Sequence, residues 1–143
     1  MERSDAEFHV DSGDGIRQGG PRLPSRRLLG IILGVYWVNM FLVTHVNLQP
    51  PGPSVPDADK IAHFVGYCGL GTLLSLWVVV SRRLTLKVIL GTLLTIATYG
   101  LADELLQIPV GRDCDVRDWV ADMLGASCGV GLAVIYCRRS ERR

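Results

Sequence analysis

Residues 57–80, DADKIAHFVGYCGLGTLLSLWVVV, contain the pattern from which the fold of the chain can be predicted. This stretch opens with charged side chains, and from Ile61 to Val80 it contains no Asp, Glu, Lys or Arg. A helix needs about twenty apolar residues to cross the roughly 30 Å hydrocarbon core of a membrane. The stretch therefore predicts a membrane-spanning helix whose first turns carry polar groups.

Three further apolar runs of similar length accompany this one. The four runs are Leu28–Leu48, Ile61–Val80, Val88–Ile108 and Trp119–Cys137. In a chain of 143 residues they leave no room for a separate soluble domain. We expect an all-α, integral membrane four-helix bundle over residues 28–137. Residues 1–27 are rich in Gly, Ser and Arg and are expected to form a disordered cytoplasmic tail, and residues 138–143 a short basic cytoplasmic tail.

The distribution of lysine and arginine predicts the orientation of the bundle. Only Lys60, Arg112 and Arg117, of 15 such residues, lie outside the N-terminal segment, the second loop and the C-terminal tail. By the positive-inside rule, both termini are predicted to be cytoplasmic. The acids that fall on the opposite side are Asp57, Asp59, Asp103, Glu104, Asp113, Asp115, Asp118 and Asp122. The outer face is therefore predicted to be acidic.

Polar residues within the runs recur at helical spacing. The sets are Asp59, His63 and Tyr67 in the second run, Tyr99, Asp103, Glu104 and Gln107 in the third, and Asp115, Asp118 and Asp122 at the start of the fourth. Burying an ionisable group in hydrocarbon costs at least ~2.5 kcal/mol, so these groups should face one another and line a pocket at the outer face. We expect Arg112 to pair with Glu104 or Asp118, and His63 to pair with an acid on a neighbouring helix.

Three motifs resemble the VanZ-like family in their order and approximate spacing. They are DKIAHFVGY at residues 59–67, YGLADELLQ at 99–107 and GRDCDVRDWVADMLGASCG at 111–129. The family pattern falls on Asp59, Lys60, His63, Phe64, Tyr67, Asp103, Glu104, Gln107, Gly111, Arg112, Asp115 and Asp118. Asp122 stands where many relatives have Asn. The resemblance implies a multi-pass protein of the bacterial inner membrane, related to a protein that confers low-level teicoplanin resistance.

Three functions stay open at this point. The first is a non-catalytic pocket that binds an envelope lipid, glycolipid or partner, with Lys60, Arg112 and Arg117 gripping a phosphate or carboxylate. The second is an intramembrane enzyme in which His63 and a carboxylate act as an acid–base pair, with Cys114 or Ser127 as the candidate nucleophile. The third is a structural subunit of a membrane complex.

A metal site would need His63, Glu104 and two aspartates, or His45 from the end of the first helix. This spacing matches no metal motif, so we expect no metal and no other cofactor. The expected partners are membrane lipids, and beyond them an envelope lipid-linked precursor or another membrane protein, with no nucleic acid. The candidate pocket residues are Asp59, Lys60, His63, Tyr67, Asp103, Glu104, Gln107, Arg112, Asp115, Asp118 and Asp122.

Overall fold

The computed structural model describes residues 24–45, 57–82, 85–111 and 114–142. Its regular elements are α1 (Arg26–His45), α2 (Ala58–Val79), α3 (Leu86–Gln107), a short 3₁₀ helix (Ile108–Val110) and α4 (Val116–Glu141). All four α-helices are long and apolar enough to cross a membrane. The predicted all-α fold with four candidate spans is therefore confirmed. The cytoplasmic placement of both termini stays a prediction, which rests on the distribution of lysine and arginine.

Local side-chain chemistry explains where two of the helices begin. The Thr85 side chain accepts a hydrogen bond from the backbone N–H of Val88 at the start of α3, and Asp115 does the same for Arg117 at the start of α4. Such caps satisfy N–H groups that have no partner within the helix. The fourth apolar run was expected to end at Cys137, and α4 continues beyond it through Glu141. Most of the N-terminal segment expected to be disordered, residues 1–23, lies outside the described residues.

Consecutive helices run in opposite directions. The Arg26 guanidinium lies 4.8 Å from the centroid of the Trp77 ring, which places the start of α1 beside the end of α2. The Trp119 indole N–H donates to the carbonyl of Ala97 (3.1 Å), so the start of α4 lies beside the second half of α3. We call the end of the bundle where α2 and α4 begin the acidic end, and the opposite end the basic end.

α2 and α4 run parallel and touch along a surface of small residues, which we call the glycine interface. Its contacts are Gly71 with Ala126, Gly125 with Phe64, and Gly129 with Cys68. A Cβ added at Gly71 would lie 2.6 Å from the carbonyl oxygen of Ala126, and a Cβ at Gly125 or Gly129 would collide with the backbone of α2. Small residues let membrane helices approach this closely. Gly131 differs, since a Cβ there would meet nothing within 4 Å.

The outside of the bundle is apolar. Val35 on α1 is 66% exposed and Leu94 on α3 is 68% exposed, and many other large aliphatic side chains share this placement. Contiguous apolar surface of this kind is rare on soluble monomers. On a bundle of membrane-spanning helices it is the surface that faces lipid.

Candidate functional site

A histidine and a carboxylate form a buried pair between α2 and α4. His63 Nδ1 lies 2.9 Å from Asp122 Oδ1, and the two residues are 4% and 0% exposed. The parallel arrangement of the helices places these residues at one level. The neighbouring contact of Phe64 with Gly125 brings the backbones close enough for the side chains to meet.

Glu104 of α3 completes a group of three metal-ligand side chains. One donor atom each from His63, Glu104 and Asp122 lie within 4.8 Å of one another. Glu104 Oε2 accepts a hydrogen bond from the backbone N–H of Asp115 (3.1 Å), which fixes the carboxylate beside the start of α4. We call His63, Tyr67, Glu104 and Asp122 the polar cluster. The Tyr67 ring lies nearly parallel to that of His63, with 6.4 Å between centroids.

The polar cluster contains buried atoms that have no hydrogen-bond partner among the described residues. They are His63 Nε2, Tyr67 OH, Glu104 Oε1 and Asp122 Oδ2. A buried polar atom without a partner costs about 1–3 kcal/mol. Most buried polar groups in proteins do have hydrogen-bond partners. The packing of the fold alone therefore does not explain why four atoms without described partners lie together here.

A second buried group surrounds Asp103, one residue before Glu104. Its carboxylate accepts hydrogen bonds from Thr44 Oγ1 (3.4 Å), Tyr99 OH (3.4 Å) and Gln107 Nε2 (3.3 Å). His45 Nδ1 lies 3.7 Å from the same carboxylate. Thr44 and His45 at the end of α1 were not among the predicted pocket residues, because isolated polar residues at the end of an apolar run give no periodic signal.

Lys60 lies at the surface of the acidic end, where carboxylates surround it. Its Nζ is 3.4 Å from Asp59, 3.3 Å from Asp115 and 3.1 Å from Asp118. The pKa of Asp115 is lowered, first by a hydrogen bond from the backbone N–H of Arg117 and then by Lys60. Lys60 is therefore occupied by acids of its own chain, which argues against its suggested role in gripping a phosphate.

Arg112 and its expected pairing with Glu104 or Asp118 lie outside the described residues. The other predicted pocket residues all lie at the acidic end. They fall into three groups, however, rather than along one continuous pocket: the polar cluster, the surroundings of Asp103, and the acids around Lys60.

A cleft of about 90 Å³ opens between α1 and α2 at the acidic end and reaches His63. Its lining residues are Met40, Val43, Thr44, Asp59, Ala62 and His63. Val43 and Ala62 are exposed on the outside of the bundle, whereas Thr44 and His63 are buried. The cleft therefore connects the lipid-facing surface with the polar interior.

Fold and site together define a multi-pass membrane protein with a buried polar site at one end of its helices. The chain matches the family model described as VanZ/LLP1 over residues 20–137, and it belongs to that family. It is also 32% identical over 111 residues to an uncharacterized protein of the fission yeast Schizosaccharomyces pombe. This match covers 76% of the chain and 65% of the relative. No solved structure matches the chain.

Family membership supports a membrane protein of the VanZ type. The fission yeast relative comes from a eukaryote, so family membership by itself does not assign the chain to the bacterial inner membrane. That location and an influence on glycopeptide susceptibility both stay predictions.

Proposed function

We propose that the protein binds the polar headgroup of a membrane lipid in the cleft between α1 and α2. The observation that carries this proposal is the composition of the cleft wall. Thr44, Asp59 and His63 present polar groups, and Met40 and Val43 present apolar ones. A lipid needs both kinds of group, since its headgroup forms hydrogen bonds and its acyl chains stay in hydrocarbon.

The size of the cleft sets what can enter it. At about 90 Å³ it is small beside the ~300–1,000 Å³ of typical small-molecule sites. It would therefore admit part of a headgroup, with the acyl chains lying along the exposed apolar surfaces of α1 and α2. This arrangement favours a ligand that arrives sideways from the membrane.

The charges at the acidic end favour a headgroup rich in hydrogen-bond donors. Lys60 is engaged by three carboxylates, and Asp59 and His63 line the cleft itself. Sugar hydroxyls can donate to such acceptors, whereas a bare phosphate would meet like charge. A glycolipid is the ligand class that this chemistry supports best. In a bacterial host, binding of a glycolipid precursor of the cell envelope would also explain an influence on glycopeptide susceptibility.

An intramembrane enzyme is the second candidate, and the pair of His63 with Asp122 favours it. A histidine 2.9 Å from a carboxylate has the geometry of an acid–base pair. Neither candidate nucleophile supports this function, because Cys114 and Ser127 are both exposed and outside the polar cluster. Binding without catalysis is therefore the function we propose.

Native mass spectrometry in mild detergent tests the lipid proposal. The wild-type chain should retain a lipid, and Ala62→Leu should lose it, because the larger side chain would fill the cleft. Ala102→Leu provides the matched control, since Ala102 is an exposed alanine on α3 and does not line the cleft. Equal lipid retention by the two variants would contradict binding in this cleft.

A further inference from the structure

We propose that His63, Glu104 and Asp122 form a binding site for a divalent transition-metal ion of the zinc type. The site lies on the interior side of His63, among α2, α3 and α4, whereas the proposed lipid cleft lies between α1 and α2. Metal binding at this site is a proposal separate from lipid binding, and either one can hold without the other.

The separation of the donor atoms suits such an ion. One donor from each of the three side chains lies within 4.8 Å of the other two. Zinc binds histidine nitrogen and carboxylate oxygen at about 2.0–2.2 Å, which places neighbouring donors of a tetrahedral site about 3.3–3.6 Å apart. Nδ1 is the histidine nitrogen that faces Asp122, 2.9 Å from Oδ1, so the ion would take the place of the hydrogen bond between them.

Two carboxylate oxygens of the polar cluster also point to a bound cation. Glu104 Oε1 and Asp122 Oδ2 are buried and have no partner among the described residues. Each is an atom that can donate an electron pair to a metal ion. The hydroxyl of Tyr67 is also buried and without a described partner. A cation bound at this point would satisfy the orphan acceptors together.

The charges of the site also match a divalent cation. Two carboxylates with a neutral imidazole carry a charge of −2, which one divalent ion cancels. Among the described residues, Lys60 pairs with other acids, and no lysine or arginine forms an ion pair with Glu104 or Asp122. Buried carboxylates need such compensation, because burial of an isolated charge is costly.

The surroundings hold the ligands in place. The backbone N–H of Asp115 orients Glu104 by a hydrogen bond, as partners around metal ligands commonly do. A Cβ added at Gly100 would lie 3.3 Å from Asp122 Oδ2 and 3.5 Å from Tyr67 Cε1, so a larger residue there would press on both side chains. The imidazole favours zinc or iron over magnesium or calcium, which prefer an all-oxygen set.

Zinc titration of the full-length protein tests the site. The chain is purified with a tag that contains no histidine, stripped with chelator and titrated with Zn²⁺, and bound metal is measured by elemental mass spectrometry. We expect one tightly bound Zn²⁺ per wild-type chain that excess Mg²⁺ does not displace. His63→Gln and Glu104→Gln should weaken binding more than about 100-fold, since each removes a ligand and even changes to residues that hydrogen-bond to metal ligands cost 10–100-fold.

His45→Gln is the matched control, because it removes a histidine near Asp103 and leaves the polar cluster intact. It should bind Zn²⁺ as the wild type does. X-ray absorption at the zinc edge of the wild-type protein gives a readout that needs no variant to fold, and it should show one imidazole nitrogen with oxygen neighbours. Failure of the wild type to bind Zn²⁺, sulfur ligands in the absorption spectrum, or unchanged affinity in His63→Gln would each overturn the proposal. Lipid retention by the same samples tests the other proposal separately.

Discussion

The glycine interface and the pair of His63 with Asp122 lie side by side on α2 and α4, yet they differ in whether their buried polar atoms have hydrogen-bond partners. At the glycine interface, the backbones of α2 and α4 meet, and Thr72 donates hydrogen bonds to the carbonyls of Cys68 (2.8 Å) and Gly129 (3.2 Å). Nearer the acidic end, His63 and Asp122 are equally buried, but each has an atom with no described partner. Close packing accounts for the first region and does not account for the second.

This difference shows where to look for function in a small membrane bundle. Apolar surface and close glycine contacts suffice to hold helices together in lipid. Ionisable groups in the interior add cost, which selection tolerates where they bind or react with something. The polar cluster is therefore the candidate functional region, whereas the glycine interface holds α2 and α4 together.

The largest effect is expected from a side chain placed in the glycine interface. In Gly129→Leu, the new Cβ would collide with the backbone carbonyl of Cys68. Because a backbone atom cannot move aside without displacing its helix, we expect a loss of more than about 3 kcal/mol of stability. The yield of folded monomer on size-exclusion chromatography measures this. Gly131→Ala, where a Cβ meets nothing within 4 Å, is the control and should accumulate normally.

A smaller effect is expected when one member of the buried pair is removed. His63→Leu leaves the carboxylate of Asp122 without its partner, which should cost about 2–3 kcal/mol. Replacing both residues in His63→Leu/Asp122→Leu should restore much of that loss, since an apolar pair needs no partner. Thermal unfolding in detergent compares the two variants. A double variant less stable than the single one would show that the cluster is needed for folding and would erase the contrast with the glycine interface.

The smallest effect concerns Asp115, which lies at the rim of the acidic end and outside the spanning helices. Its pKa is lowered by the N–H of Arg117 and by Lys60, so the folded state favours the carboxylate. This stabilisation is present above the ordinary carboxyl pKa of about 3.9 and is lost as the pH falls through the lower native value. The difference in Tm between wild type and Asp115→Ala should therefore be largest near pH 7 and shrink below about pH 4. A difference that grows on acidification would contradict this.

The sequence predicts the fold and the location of the polar groups well, for clear physical reasons. Apolar runs of spanning length determine the four helices, and Asp59, His63 and Tyr67 recur every four residues toward the start of α2. Each of these features belongs to a single helix, so the residues of that helix are enough to predict it.

What the sequence does not predict are the partners that side chains find across helices. His63 could have met Glu104 or Asp118, and only the parallel contact of α2 with α4 selects Asp122 as its hydrogen-bond partner. The sequence names His63, Glu104 and two aspartates as possible metal ligands, but it does not show that Asp122 is the aspartate beside the other two, since these residues come from three helices. Lys60 was one of three basic residues suggested to grip a ligand, and the sequence does not show that three acids surround it.

The two proposals together make the polar cluster part of a ligand site and not merely scaffold. Native mass spectrometry of the wild-type chain and of His63→Leu/Asp122→Leu, compared at equal folded abundance, tests this. We predict that the wild-type chain carries additional bound mass, from a lipid, a metal ion or both. The double variant lacks His63, the side chain that belongs to both the cleft and the metal-ligand group. It should therefore be detected at the mass of the chain alone. The same bound mass on both proteins, or none on either, would contradict the claim.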